Sequence, residues 1–299
     1  MNRKFIYFIN PISGTKGKAV LLEKIQQATN AKHIPFEIVP TNVEGDYNFL
    51  QEKIKKEQIT DVIVCGGDGT VNQIAKVLQK TAVNIGIIPM GSGNGLAFAA
   101  HIPKDYSKAL DLIFKGKSME IDAFYINDAF SCMLCGLGFD AQVAHDFAQQ
   151  KKRGLATYVK QTAKNFLKAQ PYPFEISLSG NSFHTEAFFI SIANSNQFGN
   201  HFTIAPLASL NDGLLDIVVV NKMHKARMIW SVLKQIKYGQ LKSFEHTKYQ
   251  REGIHYFQTK ALTIHNPTLA PLHIDGDPAN TASKFEIRII EKAFRLIVA

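Results

Sequence analysis

The sequence predicts an α/β domain built on a doubly wound parallel sheet, followed by a second domain that is a mainly antiparallel β-sandwich. In the first third of the chain, short apolar runs alternate with segments of helical character, which is typical of a parallel sheet covered by helices. From about Met119 onward, strand-like segments predominate. This change of pattern predicts a domain boundary near residue 125, with one domain at 1–125 and the other at 126–299.

The first domain is predicted to alternate strands and helices over most of its length. The predicted strands are residues 4–10, 36–41, 62–65 and 83–89. The predicted helices are residues 19–28, 47–57, 71–78, 96–102 and 107–117. In such sheets ligands bind at the carboxyl ends of the strands. In this chain polar or glycine-rich loops follow all four strands, and their convergence on one edge predicts a ligand site: Asn10–Gly14, Thr41, Gly66–Thr70 and Gly91–Asn94.

The second domain is predicted to consist mostly of strands. Strand-like segments with alternating or continuous apolar character cover residues 119–127, 129–139, 174–194, 213–221, 260–266, 284–291 and 293–299. Residues 177–183 are predicted to form a hairpin turn. Two helices are expected at 155–169 and 225–239, and the last strand could return to the first domain.

The stretch from Val62 to Leu78 is the most informative part of the first domain. A short β-branched apolar run, typical of a strand buried on both faces, leads into Gly-Gly-Asp-Gly-Thr and then into a helical apolar stripe. Thr70 and Gln73 have the spacing of a capping box, so Thr70 is predicted to be the N-cap of the helix.

The glycines of this loop predict a phosphate site, because a helix N-terminus with open backbone amides attracts phosphate. The Asp68 carboxylate would repel a phosphate. It therefore fits the loop either through an intervening Mg²⁺ or as the acceptor of a proton from an attacking hydroxyl. A plain β-turn, which uses Asp and Gly for their turn geometry, is the structural alternative.

Charge and cysteine content narrow the class of protein. The 299-residue chain carries a net charge of +9, which predicts an anionic partner such as a nucleotide, a nucleic acid or an acidic membrane surface; a generically basic protein is the alternative. Three cysteines argue against a disulfide scaffold, and Cys132 and Cys135, although spaced as CxxC, are predicted to be buried unpaired thiols. No second CxxC and no HExxH motif supports a zinc site.

Membrane contact is predicted to be peripheral. The N-terminal apolar run is too short for a signal peptide and no run approaches ~18 apolar residues, so we expect a soluble, cytoplasmic protein. Lys151–Arg153 and the helix from Lys225 to Lys237, which contains Trp230, could rest on anionic lipid headgroups. A solvated basic face is the alternative.

Six motifs, in order along nearly the whole chain, resemble those of the diacylglycerol kinase and sphingosine kinase superfamily of lipid kinases. They are NPISG at Asn10–Gly14, GGDGTVNQI at Gly66–Ile74, PMGSGNGLA at Pro89–Ala97, GLGFDAQV at Gly136–Val143, LNDGLLDIVVV at Leu210–Val220 and IDGDP at Ile274–Pro278. The resemblance implies a nucleotide-binding α/β domain followed by a β-sandwich, with the site in the cleft between them. It further implies a kinase that uses ATP and Mg²⁺ to phosphorylate a lipid hydroxyl at the membrane surface.

The resemblance also implies roles for individual residues. ATP would be bound by Asn10, Thr41, Gly66, Gly67, Asp68, Gly69, Thr70, Asn72, Gly91, Ser92 and Asn94. A structural Mg²⁺ would be held by the Asp212 carboxylate and the backbone carbonyls of Ser209 and Leu214. Asp277 would accept the proton of the acceptor hydroxyl, with Asp68 as the other candidate base, and Asp140 would support substrate or metal.

The chain departs from the family pattern at two positions. Many bacterial members have Gly-Thr-x-Asn-Asp where this chain has Gly-Ser-Gly-Asn-Gly, so a second acidic residue is replaced by Gly95, and the expected base is Asp277 where Glu is commoner. The alternative functions are a kinase similar to NAD kinase, another small-molecule kinase such as phosphofructokinase, and a nucleotide-binding regulator without turnover. No nucleic acid partner is expected, the acceptor lipid is not specified, and the oligomeric state stays open, a homodimer included.

Overall fold

The computed structural model describes residues 3–9, 18–42, 44–150, 161–162, 164–166, 168–178, 180–197, 204–222, 249–251 and 253–299. The chain divides into two compact units. The first comprises Met1–Asp122 together with Glu291–Ala299, and the second comprises Ala123–Ile290. Among the described residues, no helix combines the length and the apolar character needed to cross a membrane.

The first unit is a parallel sheet flanked by helices, as predicted. Its strands are β1 (Phe5–Ile9), β2 (Phe36–Pro40), β3 (Asp61–Gly66) and β4 (Asn84–Pro89), and its helices are α1 (Lys18–Ala31), α2 (Phe49–Glu57), α3 (Asp68–Val77), α4 (Gly95–Ala99) and α5 (Tyr106–Lys115). The strands lie in the order β2-β1-β3-β4, and all of these pairs are parallel. A late strand, Lys284–Ile297, adds to β4 in parallel through Arg295 and Leu296.

Burial explains why these segments form the sheet. Both β1 and β3 are buried along their whole length, and both are rich in β-branched or aromatic residues. At the amino end of β3, the buried carboxylate of Asp61 accepts hydrogen bonds from Arg3 (2.6 Å to Nη2) and from the Asn84 amide (3.1 Å). That end of the sheet is thus closed by side chains, whereas glycine-rich loops occupy the other end.

The second unit is mainly antiparallel. Its elements, numbered on from the first unit, are β5 (Ser118–Ile126, which begins in the first unit), β6 (Ala129–Ser131), β7 (Leu134–Gly138), α6 (Phe139–Ala148), β8 (Tyr172–Leu178), β9 (Asn181–Ala193), β10 (Leu215–Asn221), β11 (Tyr249–Arg251), β12 (Ile254–Thr259), β13 (Ala261–His265), β14 (Leu272–Ile274), β15 (Asp277–Ala279) and β16 (Lys284–Ile297). Strands β11-β12-β10-β9-β8-β13-β16 are neighbours in that order, and β7 joins β9 to the hairpin of β14 and β15.

Strand β10 is buried on both of its faces. On β10, Ile217 and Val219 pack into one apolar cluster, whereas the intervening Val218 and Val220 pack into another. This alternation follows from the two-residue period of a strand. The strand-rich second domain predicted from the sequence is therefore confirmed, and so is the hairpin at residues 177–183, where Leu178 pairs with Asn181.

Several details differ from the prediction, and strands β11, β12, β14 and β15 were not predicted. The expected strand 129–139 is interrupted at Cys132 and Met133. The helix α6, which follows it, was not predicted, because its sequence continues the same apolar pattern. The expected strands 284–291 and 293–299 form one strand, β16.

Three of the predicted features in the second domain fall wholly or partly outside the described residues. The helix at 225–239 and the basic run Lys151–Arg153 lie outside them. Of the helix at 155–169, residues 161–162, 164–166 and 168–169 are described, and all of them except Ala169 are helical. Cys65, Cys132 and Cys135 are buried and form no disulfide, as expected for the two cysteines of the CxxC pair.

Candidate active site

The carboxyl ends of the parallel strands bring the predicted loops to one edge of the first unit. Ile9 is level with Pro40 on one side and with Cys65 on the other, and Gly66 is level with Pro89. Thr41, the Gly66–Thr70 loop and the Gly91–Asn94 loop therefore leave the sheet at the same height. Asn10 follows β1 but lies outside the described residues.

The Gly-Gly-Asp-Gly-Thr loop starts a helix earlier than predicted. Gly67, in an extended conformation, is the N-cap of α3, and Asp68 is already the first helical residue. The prediction that Thr70 is the N-cap is wrong. Thr70 is buried, and its Cβ would lie 3.3 Å from a Cβ added at Gly66, so its side chain packs back against β3. An Asp in the first turn is favourable because the N-terminus of a helix carries partial positive charge.

The Gly91–Asn94 loop is closed by its own asparagine. Asn94 has a left-handed backbone (φ 54°), and its side chain both accepts from the Gly91 N–H (2.8 Å) and donates to the Gly91 carbonyl (2.7 Å). Asn94 is buried, whereas Ser92 at the tip of the loop is exposed. The loop is therefore shaped by its own hydrogen bonds.

The two glycine loops touch through their backbones. A Cβ at Gly91 would lie 2.7 Å from the Cα of Gly67, and a Cβ at Gly67 would lie 3.1 Å from the Cα of Gly91. Asp68 faces the same place, since the Leu96 N–H lies 3.4 Å from its Oδ1 and a Cβ at Gly93 would lie 2.9 Å from its Oδ2. Only glycine permits this approach, which leaves backbone N–H groups and one carboxylate around a shared space.

Thr41 and Asn72 complete the predicted nucleotide residues of this unit. Thr41 is buried and donates its N–H to the Ile9 carbonyl at 3.1 Å. The next N–H, of Asn42, donates to the hydroxyl of buried Tyr47 at 3.1 Å, and burial raises the pKa of that hydroxyl. The half-buried Asn72 lies on α3, one turn beyond Asp68.

In the second unit, Asp277 lies on a tight hairpin. Ile274 pairs with Asp277, so Asp275 and Gly276 form a two-residue turn, and both have positive φ (49° and 87°), as type I′ turns require. Asp277 is exposed at the start of β15. The turn directs this carboxylate outward on a short, regular support.

Asp275 anchors that turn from inside the unit. Its buried carboxylate accepts hydrogen bonds from Ser131 Oγ (2.6 Å) and from the N–H groups of Cys132, Met133 and Leu134 (3.3, 3.1 and 3.0 Å). Its own N–H donates to the Leu134 carbonyl at 2.8 Å. The irregular segment between β6 and β7 thus supplies donors to one carboxylate.

Asp140 is buried at the start of α6, and both of its oxygens are engaged within the second unit. Oδ1 accepts from the Ala141 N–H at 2.8 Å, and Oδ2 lies 3.3 Å from Nε2 of His273, which is fully buried on β14. The other ring nitrogen, Nδ1, lies 3.4 Å from the Gly276 N–H.

The loop proposed to bind a structural cation has an oxygen-rich composition. Asp212 Oδ1 accepts from the Leu214 N–H at 3.1 Å, and Ser209 Oγ donates to Asn211 Oδ1 at 3.2 Å. Among the described residues, no group of three or more His, Cys, Asp or Glu side chains could hold a metal. A cation there would therefore depend on backbone carbonyls such as those of Ser209 and Leu214.

A buried acid on the adjoining strand favours such a cation. Asp216 is fully buried, and its Oδ1 accepts hydrogen bonds from the Tyr256 hydroxyl and from Gln258 Nε2, whereas its Oδ2 has no partner. Burial raises the pKa of Asp216 to about 6, and the negative charge of Asp212 adds a smaller contribution in the same direction. Two acids near each other with one oxygen unsatisfied fit a hard, oxygen-binding cation such as Mg²⁺.

Comparison with known proteins shows which families share this architecture. Residues 4–126 match the model of the diacylglycerol kinase catalytic domain, and residues 134–298 match that of the YegS C-terminal NAD kinase beta sandwich-like domain, which alone covers more than half of the chain. Diacylglycerol kinases of Staphylococcus aureus strains RF122 / ET3-1 and JH9 are each 27% identical over 296 residues, which cover 94% of this chain and 89% of theirs.

Solved structures agree on the fold. A Bacillus anthracis strain Sterne protein, described provisionally as a diacylglycerol kinase, superposes with a TM-score of 0.82 at 21% identity, covering 99% of this chain and 95% of that one. A diacylglycerol kinase structure from the same strain gives 0.76 at 20% identity, covering 99% and 97%. Fold and matched domains define a kinase, a member of the transferases. The chain belongs to the diacylglycerol kinase-like superfamily of lipid kinases.

Sequence reasoning did not single out three of the buried polar residues described above, His273, Asp275 and Asp216. Asp275 and Asp216 lie inside recognised motifs, close in sequence to the candidate residues Asp277 and Asp212. That proximity was the only sequence signal that could have identified them. His273 precedes the IDGDP motif within an apolar strand and carries no local signal.

Proposed function

We propose that this protein transfers the γ-phosphate of ATP to a hydroxyl group of a membrane lipid, of the diacylglycerol or sphingoid-base class. The observation that carries the proposal is the backbone contact between the two glycine loops, with the Asp68 carboxylate beside it. Membership of a lipid kinase superfamily supports the reaction class.

Phosphate recognition would come from the backbone of the first unit. The ten-residue helix α3 begins at this loop, so the N–H groups of its first turn point away from the helix toward the space beside the loop. A methyl group at position 67 or 91 would meet the backbone of the other loop and push the two loops apart. A polyphosphate can therefore approach the amides closely, with Thr41, Asn72, Ser92 and Asn94 at the same edge.

Asp68 would hold the Mg²⁺ that accompanies ATP. The ion would supply neutralisation of charge on the phosphates, on which phosphoryl transfer largely depends. Asp68 is the only acidic residue within the two glycine loops, since Gly95 stands where many relatives carry an acid. We therefore assign it the metal contact and leave the proton of the acceptor to a different carboxylate.

Asp277 would take that proton from the lipid hydroxyl. It is exposed and it follows a rigid two-residue turn, so it can reach a bound acceptor without first being uncovered. Asp212, with the carbonyls of Ser209 and Leu214, would hold a second, structural Mg²⁺, and the unpartnered oxygen of Asp216 supports a cation in this part of the unit. Asp140, whose oxygens are both engaged, is assigned no contact with substrate or metal.

The lipid would be met at a membrane surface. The net charge of +9 supports attraction to anionic headgroups, which we propose keeps the protein at the membrane periphery during turnover.

The proposal is tested by radiolabel transfer. Purified protein is incubated with Mg²⁺ and ATP labelled at the γ-phosphate, in parallel with mixed micelles of a total lipid extract and with NAD. We expect label in the lipid fraction, and mass spectrometry then identifies the acceptor. Asp277→Asn serves as the control for a contaminating kinase.

Two results would contradict the proposal. Label in NADP without label in lipid would favour a kinase similar to NAD kinase. This alternative is worth testing because the matched β-sandwich domain is described as similar to that of NAD kinase. ATP binding without transfer to any acceptor would favour a nucleotide-binding regulator.

A further inference from the structure

A buried side-chain chain lies directly beneath the turn that carries Asp277. It runs from the Asp140 carboxylate through the His273 imidazole to the N–H of Gly276, with separations of 3.3 Å and 3.4 Å. Gly276 immediately precedes Asp277. The imidazole is fully buried, so water does not compete for either of its nitrogens.

The contacts of the ring determine where its proton lies. A backbone N–H can only donate, so Nδ1 must accept from Gly276 and cannot carry a hydrogen itself. In the neutral ring the hydrogen then sits on Nε2, from which it donates to Asp140 Oδ2. Asp140 is itself fixed by the Ala141 N–H and lies at the N-terminus of α6, where negative charge is favoured.

The fold makes specific room for this pair. Gly136 on β7 is directly opposite His273 in the strand pairing, and a Cβ there would overlap both Asp140 Oδ2 and His273 Nε2. The two side chains therefore meet in a space that exists because position 136 has no side chain. Such a close fit around a polar pair is more than packing requires, since an apolar residue on β14 would fill the same space without needing a partner.

From this geometry we infer that His273 is a positioning residue for Asp277. Asp140 holds the imidazole in the Nε2–H form, the acceptor nitrogen fixes the Gly276 amide, and the fixed amide sets the direction of the Asp277 carboxylate. Asp275 holds the other half of the turn through its bonds to the residues between β6 and β7. The inference rests on the proposed role of Asp277 as proton acceptor.

Two conservative variants separate the two bonds of the ring. His273→Asn places its amide oxygen near the position of Nδ1, so it keeps an acceptor for Gly276 and loses Asp140. His273→Gln places its amide nitrogen near the position of Nε2, so it keeps a donor to Asp140 and loses Gly276. Each variant removes one of the two contacts of the ring. The two variants should therefore lose similar amounts of stability, so a difference in kcat between them reports on the contact that was lost.

We expect His273→Gln to lower kcat by up to about 10²-fold, the effect of displacing a catalytic group by about 1 Å, with KM for ATP unchanged. His273→Asn should retain clearly more of the turnover. His145→Gln is the control, because Nε2 of His145 lies 2.8 Å from the Leu272 carbonyl, on the same strand as His273 but outside the turn. It should lower thermal stability without lowering kcat.

Equal losses of kcat in the Asn and Gln variants, or a similar loss in His145→Gln, would overturn the inference in favour of a merely structural histidine. A wild-type kcat in His273→Gln would overturn it outright. Melting temperatures of all three variants are measured alongside.

A measurement independent of activity separates this inference from the proposed function. In protein labelled with nitrogen-15 histidine, His273 is assigned by comparison with His273→Asn, and its ring shifts should show hydrogen on Nε2 and a bare Nδ1. Hydrogen on Nδ1 would refute the inference even if lipid phosphorylation is intact. If the expected shifts appear but no lipid is phosphorylated, the proposed function fails while the side-chain chain stands.

Discussion

The two candidate regions of this kinase differ in composition, since one is formed mainly by backbone and the other is supported by buried side chains. In the first unit, the Gly66–Thr70 and Gly91–Asn94 loops form a backbone surface in which side chains are kept away, and Asp68 is the one charged group. In the second unit, the turn carrying Asp277 rests on buried side chains, namely Asp275 and His273.

Under the proposed function, the difference follows from what each region would recognise. Phosphate oxygens are satisfied by N–H groups, which every residue carries, so a phosphate site needs only that side chains do not obstruct it. A general base must instead be oriented toward one hydroxyl hydrogen, and its orientation depends on how firmly the turn that carries it is held. Substitutions in the two regions should therefore fail in different ways, in binding for the first and in turnover for the second.

The largest expected effect separates the two acids. Asp277→Asn should lower kcat by about 10²–10⁴-fold, the usual contribution of a general base, while ATP affinity stays nearly unchanged. Asp68→Asn should impair the use of Mg²⁺-ATP as well, since its charge acts on the nucleotide side. Steady-state kinetics with ATP affinity measured separately by calorimetry tests both. Full turnover in Asp277→Asn would transfer the role of base to Asp68 and remove the proposed division of labour.

A smaller effect is expected from adding one methyl group to the backbone surface. Neither Gly67 nor Gly91 has a positive φ, so alanine is conformationally allowed at both and the effect is purely steric. Loss of one charge-assisted hydrogen bond to phosphate costs about 1.5–3 kcal/mol, or roughly 10- to 100-fold in affinity.

Gly91→Ala, with its Cβ 2.7 Å from Gly67 Cα, should weaken ATP binding by that factor, and Gly67→Ala, at 3.1 Å, by less. Calorimetric titration with ATP gives both affinities, and circular dichroism confirms the fold. Wild-type affinity in Gly91→Ala would show that the contact between the loops has no part in nucleotide binding.

The smallest effect concerns stability and the proposed structural cation. Asp212→Ala loses the hydrogen bond from Leu214, worth about 1 kcal/mol, together with the carboxylate that would bind Mg²⁺. Asp212→Asn keeps the acceptor and loses only the charge. We expect the Asn variant to melt near the wild type without Mg²⁺ but to show no rise in melting temperature when Mg²⁺ is added. A Mg²⁺-dependent rise equal to that of the wild type would exclude Asp212 as a ligand.

The same contrast explains what could be predicted from the sequence. The parallel sheet and its glycine loops are local features, since a buried strand, a glycine run and a helix follow one another within twenty residues, and the fold class is confirmed by the matched domains. The roles of the site residues remain predictions. One prediction in this region was wrong, namely that Thr70 is the N-cap of α3. The helix begins after Gly67, a position that the capping-box rule does not consider.

The side-chain support of the second unit could not be predicted in the same way. His273 and Asp140 are 133 residues apart, and Tyr256 reaches Asp216 across 40 residues. Periodicity reports which face of an element is apolar, but it does not report which polar groups meet across a core. Gly136 is an example. A glycine in an apolar strand does not indicate that two side chains fill the space where a Cβ would otherwise lie.

Strand β16 has a consequence for the order in which the protein is made. The first unit includes Glu291–Ala299, and Phe294, Leu296 and Ile297 are buried in it, so its parallel sheet is complete only when the last residues of this sequence have emerged from the ribosome. Roughly 200 residues separate β4 from its partner, which at ~5–20 residues per second leaves β4 as a bare sheet edge for about 10 to 40 s. An unpaired edge is a template for association with other chains. We therefore expect the nascent first unit to need shielding during synthesis, and chains that stop short of β16 to be recovered mainly as aggregates.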